Sequence, residues 1–214
     1  MMNLTEAPKK IISGMVMVLV DSSAYLRVGN LILPSEDGGT KFADAMSQKI
    51  SDQDLTSQGK FRIPVHGVAQ NSSNAILEGD VVFFSQSDSV NCEKVNTPSG
   101  ECYFIPAENI FLSLRNGEVV MQNGFLLGKT KEIEVFNVMQ KVMDRVIITH
   151  AGTPSVDPRF NSLDAKDVLV GDEVIYAIAS ERLLEQPHMN MIGLKDARVI
   201  KRRHVKAIIR YDKI

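Results

Sequence analysis

Leu77-Glu78-Gly79-Asp80-Val81-Val82-Phe83-Phe84 is answered further along the chain by Leu169-Val170-Gly171-Asp172-Glu173-Val174-Ile175-Tyr176. In each copy a Gly-Asp pair leads into a run of β-branched and aromatic residues, the pattern of a turn entering a strand. Glycine tolerates positive φ, and the aspartate carboxylate accepts nearby backbone N–H groups. Each copy is followed by a second apolar segment, Tyr103 to Leu114 and Val199 to Ile209. The copies lie nearly one small-domain length apart, and such self-similarity predicts two small β-domains rather than one large fold.

The length of 214 residues suits that division. Each half is small enough for its own core to be marginal, so burial between halves or between copies of the chain is expected, and with it oligomerisation. A formal net charge of −2 gives no global drive toward nucleic acid or anionic membranes, so neither is an expected partner. Met15 to Val20 is too short to span a bilayer and no arginine-rich or cleavable leader precedes it, which predicts a soluble, cytoplasmic protein.

Strand signals follow one another along the chain. Gly14 to Val20 is apolar throughout, as in a strand buried on both faces or at an interface. Leu31-Ile32-Leu33 stands isolated between Gly29-Asn30 and Pro34. Residues 35–59 then shift to Ser, Asp, Gln, Gly and Lys, with only a weak helical spacing from Phe42 to Ile50, and read as a polar surface excursion. Strand character resumes at Phe61 to Ala69, turns at Asn71 to Asn74, and enters the first Gly-Asp strand. A return through Pro98-Ser99-Gly100 leads to Tyr103-Phe104-Ile105 and Ile110 to Leu114, and Asn116-Gly117 closes the unit. The second unit comprises Glu118 to Met121, a turn at Asn123-Gly124, Phe125-Leu126-Leu127, Arg145 to Ile148, a loop from Pro154 to Pro158, the second Gly-Asp strand and the closing strands. Short strands separated by turns, with no long helical period, predict an all-β chain of two small antiparallel barrels, 1–116 and 117–214.

Signals for chemistry are sparse. His66, His150, His188 and His204 fall in four separate segments without metal-ligand spacing, and no phosphate-binding glycine loop or nucleophile elbow occurs. Neither an enzyme nor a cofactor is expected. Cys92 and Cys102 do not match a zinc spacing and read as free thiols, with a cross-strand disulfide about the Thr97 to Gly100 turn as the alternative. The basic run Lys201-Arg202-Arg203-His204, with Lys206 and Arg210, reads as the polar face of a terminal strand or, alternatively, as a phosphate or RNA contact. Leu31-Ile32-Leu33 has two readings as well. Three adjacent large aliphatics cannot all face one side of a strand, so they form either a short buried strand or an apolar anchor on a mobile loop, ordered when a partner's groove receives it.

The order of these segments resembles the GroES co-chaperonin family. Met15 to Val20, Gly29-Asn30-Leu31-Ile32-Leu33-Pro34, Gly67-Val68-Ala69, Leu77 to Phe84 and Phe104 to Leu112 stand where that family has its first strand, mobile loop, next strand, Gly-Asp strand and closing strand. Asn123 to Leu127, Arg145 to Ile148, Leu169 to Tyr176 and Val199 to Ile208 repeat the series. The resemblance implies two tandem GroES-like β-barrels, the first carrying the mobile loop and the polar insertion at 35–59, the second a shortened loop. It further implies a homo-oligomeric ring, with a heptamer as one stoichiometry, that caps a GroEL-type chaperonin and assists ATP-dependent folding of a client protein. ATP would be bound by the partner. Leu31, Ile32 and Leu33 would dock in the partner's apolar groove, and in the second unit either Phe125-Leu126-Leu127 or Val135-Phe136 would do so. The shortened segment Asn71 to Ala75 and the basic final strand resemble phage-encoded co-chaperonins of the T-even type, implying a viral origin and the host cytoplasm. The competing expectation is a tandem β-barrel virion or assembly protein without a chaperonin partner.

Overall fold

The computed structural model describes residues 2–3, 11–21, 25–28, 31–34, 64–85, 88, 92–153, 167–177, 182–183 and 186–210. The polar excursion at 35–59 and the loop at 154–158 lie outside them. The chain is all-β in character and divides into two compact units, Met1–Asn116 and Gly117–Ile214.

Unit 1 contains strands β1 (Met2–Asn3), β2 (Met15–Leu19), β3 (Tyr25–Val28), β4 (Leu31–Pro34), β5 (Pro64–Ala69), β6 (Val81–Ser85), β7 (Lys94–Thr97), β8 (Gly100–Pro106) and β9 (Leu112–Arg115). Hydrogen-bonded neighbours run β1-β7-β8-β2-β5-β6-β9, antiparallel except for the short parallel pair β1–β7, while β3 and β4 form a separate two-stranded ribbon. The unbroken apolar run of β2 has a direct explanation. Val16 and Val18 enter one core with Val65, Val82, Phe84, Tyr103 and Ile105, while Met17 packs on the opposite face with Val95 and Cys102. Alternate residues thus serve two clusters, and neither face of the strand tolerates a polar side chain. Asn71 extends the edge of β2: its side-chain oxygen accepts the Met17 N–H at 2.7 Å and its amide donates to the Met15 carbonyl at 3.1 Å.

Gly67 in β5 is fixed by close approach rather than by conformation. A Cβ there would meet the Leu19 carbonyl oxygen at 2.5 Å and the Val18 side chain at 2.6 Å. The sheet packs closely at this point because the residue has no side chain.

Unit 2 contains β10 (Glu118–Met121), β11 (Phe125–Val135), β12 (Val138–Ala151), β13 (Glu173–Tyr176), β14 (Arg182–Leu183), helix α1 (Gln186–Ile192), β15 (Ala197–Lys201) and β16 (Val205–Ile209). Its sheet runs β14-β15-β11-β12-β13-β16, with each of these neighbouring pairs antiparallel. The order corresponds position for position to β7-β8-β2-β5-β6-β9. The cores use the same places in the repeated sequence: Val82 and Phe84 in one unit, Val174 and Tyr176 in the other, the latter with Leu126, Val146, Ile148 and Ile200.

Two elements differ from the sequence expectation. The short strands read at Phe125 to Leu127 and Arg145 to Ile148 belong to one long hairpin of 11- and 14-residue strands. Polar residues at its distal end, such as Lys131, Glu132 and Lys141, mask the strand period because that part of the ladder is solvated. Helix α1 also has no counterpart in the sequence reading. Its seven residues are too few to display a helical period, although His188 and Ile192, four positions apart, are both buried.

Candidate functional site

The repeated Gly-Asp motif folds into the same hydrogen-bonded device in both units. Gly79 and Gly171 adopt φ of 90° and 95°, values an L-residue reaches only with strain, which explains glycine at this step. In unit 1 the Gly79 N–H donates to the Ala69 carbonyl at 2.8 Å and the Ala69 N–H to the Asp80 carbonyl at 2.9 Å. In unit 2 Gly171 donates to Ile148 at 2.8 Å and Ile148 to Asp172 at 2.9 Å. Each aspartate also accepts the backbone N–H three residues earlier: Leu77 to Asp80 at 3.0 Å, Leu169 to Asp172 at 2.8 Å.

An arginine closes each device from the strand that pairs with the Gly-Asp strand: Arg115 ends β9, and Arg210 directly follows β16. Arg115 donates from Nε to Asp80 Oδ1 at 3.0 Å and from Nη2 to Oδ2 at 2.8 Å, and Nη2 also reaches the Ala75 carbonyl at 2.7 Å. Arg210 donates to Asp172 Oδ1 at 3.0 Å and Oδ2 at 3.1 Å, and its Nη2 reaches the Asp167 carbonyl. This is the bidentate fork for which guanidinium is suited. Burial pushes both carboxyls up, but the arginine hydrogen bonds, the backbone N–H and the arginine charge outweigh it, holding Asp80 and Asp172 below the usual carboxylate range. The sequence reading identified the aspartates and missed the arginines' role. The available signal was a single arginine ending each closing apolar segment, Leu114-Arg115 and Ile209-Arg210.

That assignment disperses the basic run near the C-terminus. Arg210 is committed to Asp172, and Arg202 is buried and donates to the Gly152 carbonyl at 2.6 Å. Lys201 lies 5.5 Å from the Phe125 ring centroid, and Arg203 is exposed. Cys92 and Cys102 are free. The ladder sets Val95, not Cys92, opposite Cys102, so the two thiols do not face each other. Burial, followed by the nearby Asp88 charge, pushes the Cys92 thiol up to about 11, and burial also raises Cys102. Both are poor nucleophiles at neutral pH. Among the described residues no group of three His, Cys, Asp or Glu is placed to hold a metal ion, and no helix is long and apolar enough to cross a membrane.

Residues proposed from sequence for docking lie at three places in the fold. Leu31, Ile32 and Leu33 form most of β4, paired with β3 so that Leu31 faces Val28, Ile32 faces Arg27 and Leu33 faces Leu26. The hairpin they form lies in sequence between β2 and β5. Phe125, Leu126 and Leu127 are buried at 2%, 0% and 0% exposure, with Leu126 in the core of unit 2, which corrects their candidacy, because buried side chains are not available to a partner. Val135 and Phe136 lie at the opposite end of the same strand and its turn, and Phe136 is 96% exposed.

The β11–β12 hairpin corresponds to β2 and β5 at its base and to β3–β4 at its end: Val28 pairs with Leu31, and Val135 with Val138, each pair separated by two residues. Between base and end the register jumps. Thr130 faces Val146, but Lys131 faces Val142, leaving Met143, Asp144 and Arg145 as an insertion in β12. Arg198, itself buried, holds this break. Its Nε donates to Thr130 Oγ1 at 2.8 Å and Nη1 to the Tyr176 hydroxyl at 3.2 Å, and that hydroxyl donates to the Met143 carbonyl at 2.8 Å. Lys141 pairs with Asp196, and this hydrogen bond, foremost among the causes, holds the Asp196 carboxyl below its usual range. In comparisons with known proteins, no family model and no curated protein matches the chain.

Proposed function

We propose that this chain is a tandem co-chaperonin: two GroES-like barrels that assemble into a ring, cap a GroEL-type chaperonin and assist ATP-dependent folding of client protein. The observation that carries the reading is the recurrence, in both units, of one strand order with an Asp–Arg-clamped Gly-Asp turn and a hairpin lying between the same two strands of that order. A scaffold of this kind presents an element of few residues to a partner while the sheet remains fixed. Leu31-Ile32-Leu33 on β4 supplies an apolar segment for the partner's groove. A ring of weak contacts becomes firm capping through effective concentration. The chain itself neither binds nor hydrolyses ATP in this reading.

The test is gel filtration of the full chain with a purified GroEL-type double-ring chaperonin, with and without ATP. Co-elution that requires nucleotide is expected for the native sequence, and Ile32→Asp is expected to abolish it by placing a charge in an apolar groove. Binding that persists unchanged in Ile32→Asp removes β4 as the docking element. Absence of any nucleotide-dependent complex, together with a stable native ring mass, would favour an assembly protein instead.

A further inference from the structure

The two units match in hydrogen-bond register as well as in strand order. Val18 stands opposite Ala69, which accepts from Gly79; Gly128 stands opposite Ile148, which accepts from Gly171. Val82 pairs with Gly67 as Val174 pairs with Val146, and Val18 with Tyr103 as Gly128 with Arg198. The Val20 N–H donates to the Glu101 carbonyl as the Thr130 N–H donates to the Asp196 carbonyl. A strand exchanged for its counterpart in the other unit, or in a second copy, would therefore keep its ladder intact. Tandem copies of one fold are prone to such exchange. Since the backbone does not discriminate here, the side chains have to.

One pair of matching positions is filled in opposite senses. In unit 1 the valine is on β2 and the glycine on β5, and a Cβ on Gly67 would meet Val18 Cγ1 at 2.6 Å. In unit 2 the glycine is on β11 and the valine on β12, and a Cβ on Gly128 would meet Val146 Cγ2 at 2.8 Å. Pairing β2 with β12 would force Val18 and Val146 into a space that holds one side chain. The complementary pairing of β11 with β5 would set Gly128 against Gly67 and leave that space empty. The first is overpacked and the second a cavity.

A second set differs in polarity. Buried Arg198 donates to Thr130 Oγ1 at 2.8 Å and to the Tyr176 hydroxyl at 3.2 Å. The counterparts of these two acceptors in unit 1 are Val20 and Phe84, buried side chains with no hydrogen-bonding atom, and the counterpart of Arg198 itself is Tyr103. Putting β2 in the place of β11 would bury the guanidinium against Val20 without the Thr130 acceptor.

We propose that these positions form two locks, the steric Val18–Gly67/Gly128–Val146 swap and the polar Arg198–Thr130–Tyr176 set, that keep the strands of each unit with their own partners while the chain folds. Each lock penalises the crossed pairing and leaves the native one unstrained, which is how discrimination between near-identical partners is built. The inference is independent of the co-chaperonin reading and applies to exchange within a chain and between copies alike.

The experiment reads crossed pairing directly. Leu19 stands opposite Val68, and with β2 on β12 it would stand opposite Ile147. The full chain carrying Leu19→Cys/Ile147→Cys is refolded from urea in oxidised and reduced glutathione, and the disulfide between positions 19 and 147 is quantified by peptide mass. Added to this parent are Gly128→Val/Val146→Gly, which gives unit 2 the steric arrangement of unit 1, Thr130→Val/Tyr176→Phe/Arg198→Tyr, which gives it the apolar one, and both sets together. The crossed disulfide is expected to rise several-fold in each set and about tenfold in the combination. Gly152→Ala is the control: a Cβ there would meet the Phe125 carbonyl oxygen at 3.0 Å, so it weakens unit 2 without touching either lock and is expected to leave the crossed product at the parent level. A parent-level crossed disulfide in the combined variant, whether or not that chain melts cooperatively, would overturn the proposal. A rise in Gly152→Ala as large as in the lock variants would overturn it too, since weakening unit 2 would then suffice. A rise in one set alone would keep that lock and overturn the other.

Discussion

Asp80→Ala is expected to lower the stability of unit 1 by about 3 kcal/mol, and Asp172→Ala to do the same to unit 2, measured as shifts in urea unfolding midpoint. Each substitution removes the acceptor of the backbone N–H at Leu77 or Leu169 and of two guanidinium bonds, and leaves an arginine facing carbonyl oxygens alone. Removing the buried aspartate costs more than the pair adds, because the backbone N–H and the partly exposed guanidinium lose their acceptor together. Asp80→Asn retains the shape and one acceptor oxygen and should fall between the two. The same groups give the fold an acid-sensitive contribution whose sign is fixed. Both carboxyls titrate below their unfolded value of about 4, so their stabilisation is complete above that pH and is lost as the pH falls through the lower folded values. The native chain should therefore lose stability on acidification below about pH 4, and Asp80→Ala/Asp172→Ala should show a flatter profile over the same window. An unchanged profile in the double variant would mean that other groups govern acid unfolding.

Gly67→Ala is expected to cost about 3 kcal/mol, at the upper end of what a single added methyl does to a packed interior. The reason is the identity of the obstacle. A Cβ would lie 2.5 Å from the Leu19 carbonyl oxygen, which belongs to the β2 backbone and cannot rotate away as a side chain would. Relief requires β2 and β5 to separate, and the β2–β5 pairing at Val18↔Ala69 and Leu19↔Val68 lies beside that point. By contrast, a Cβ at Gly79 would meet nothing within 4 Å, so alanine there meets only the conformational penalty. Thermal unfolding of the two variants side by side should rank Gly67→Ala as the more damaging; the reverse order would mean that the strands separate easily.

The all-β character was legible because it rests on local chemistry. The Gly-Asp turns need glycine at positive φ, and the runs after them consist of residues that fill a pleated core, so both signals sit within eight residues. The unbroken apolar run of β2 likewise announced a strand buried on both faces. What escaped depends on distant partners or on solvated ladders. Arg115 lies 35 residues from Asp80 and Arg210 38 from Asp172, and nothing in a linear reading joins them until the sheet does. The outer half of β11–β12 alternates too weakly to announce a strand, because both of its faces meet water and the constraint that writes period two into a sequence is absent. Phe125-Leu126-Leu127 misled for the opposite reason. An apolar triplet after Asn-Gly suits a docking loop or a buried strand equally well, and burial decided for the buried strand.

The two-residue tip at Phe136-Asn137 also bears on the order in which the chain acquires its shape. Ladder growth from that tip joins near neighbours at each step, so the longest ribbon of unit 2 forms without closing any large ring of chain. In unit 1 the corresponding base pairing, Leu19 with Val68, encloses the whole stretch between those residues and must overcome its entropy first. Two sheets of matching strand order thus differ in the entropic height of their first long-range step.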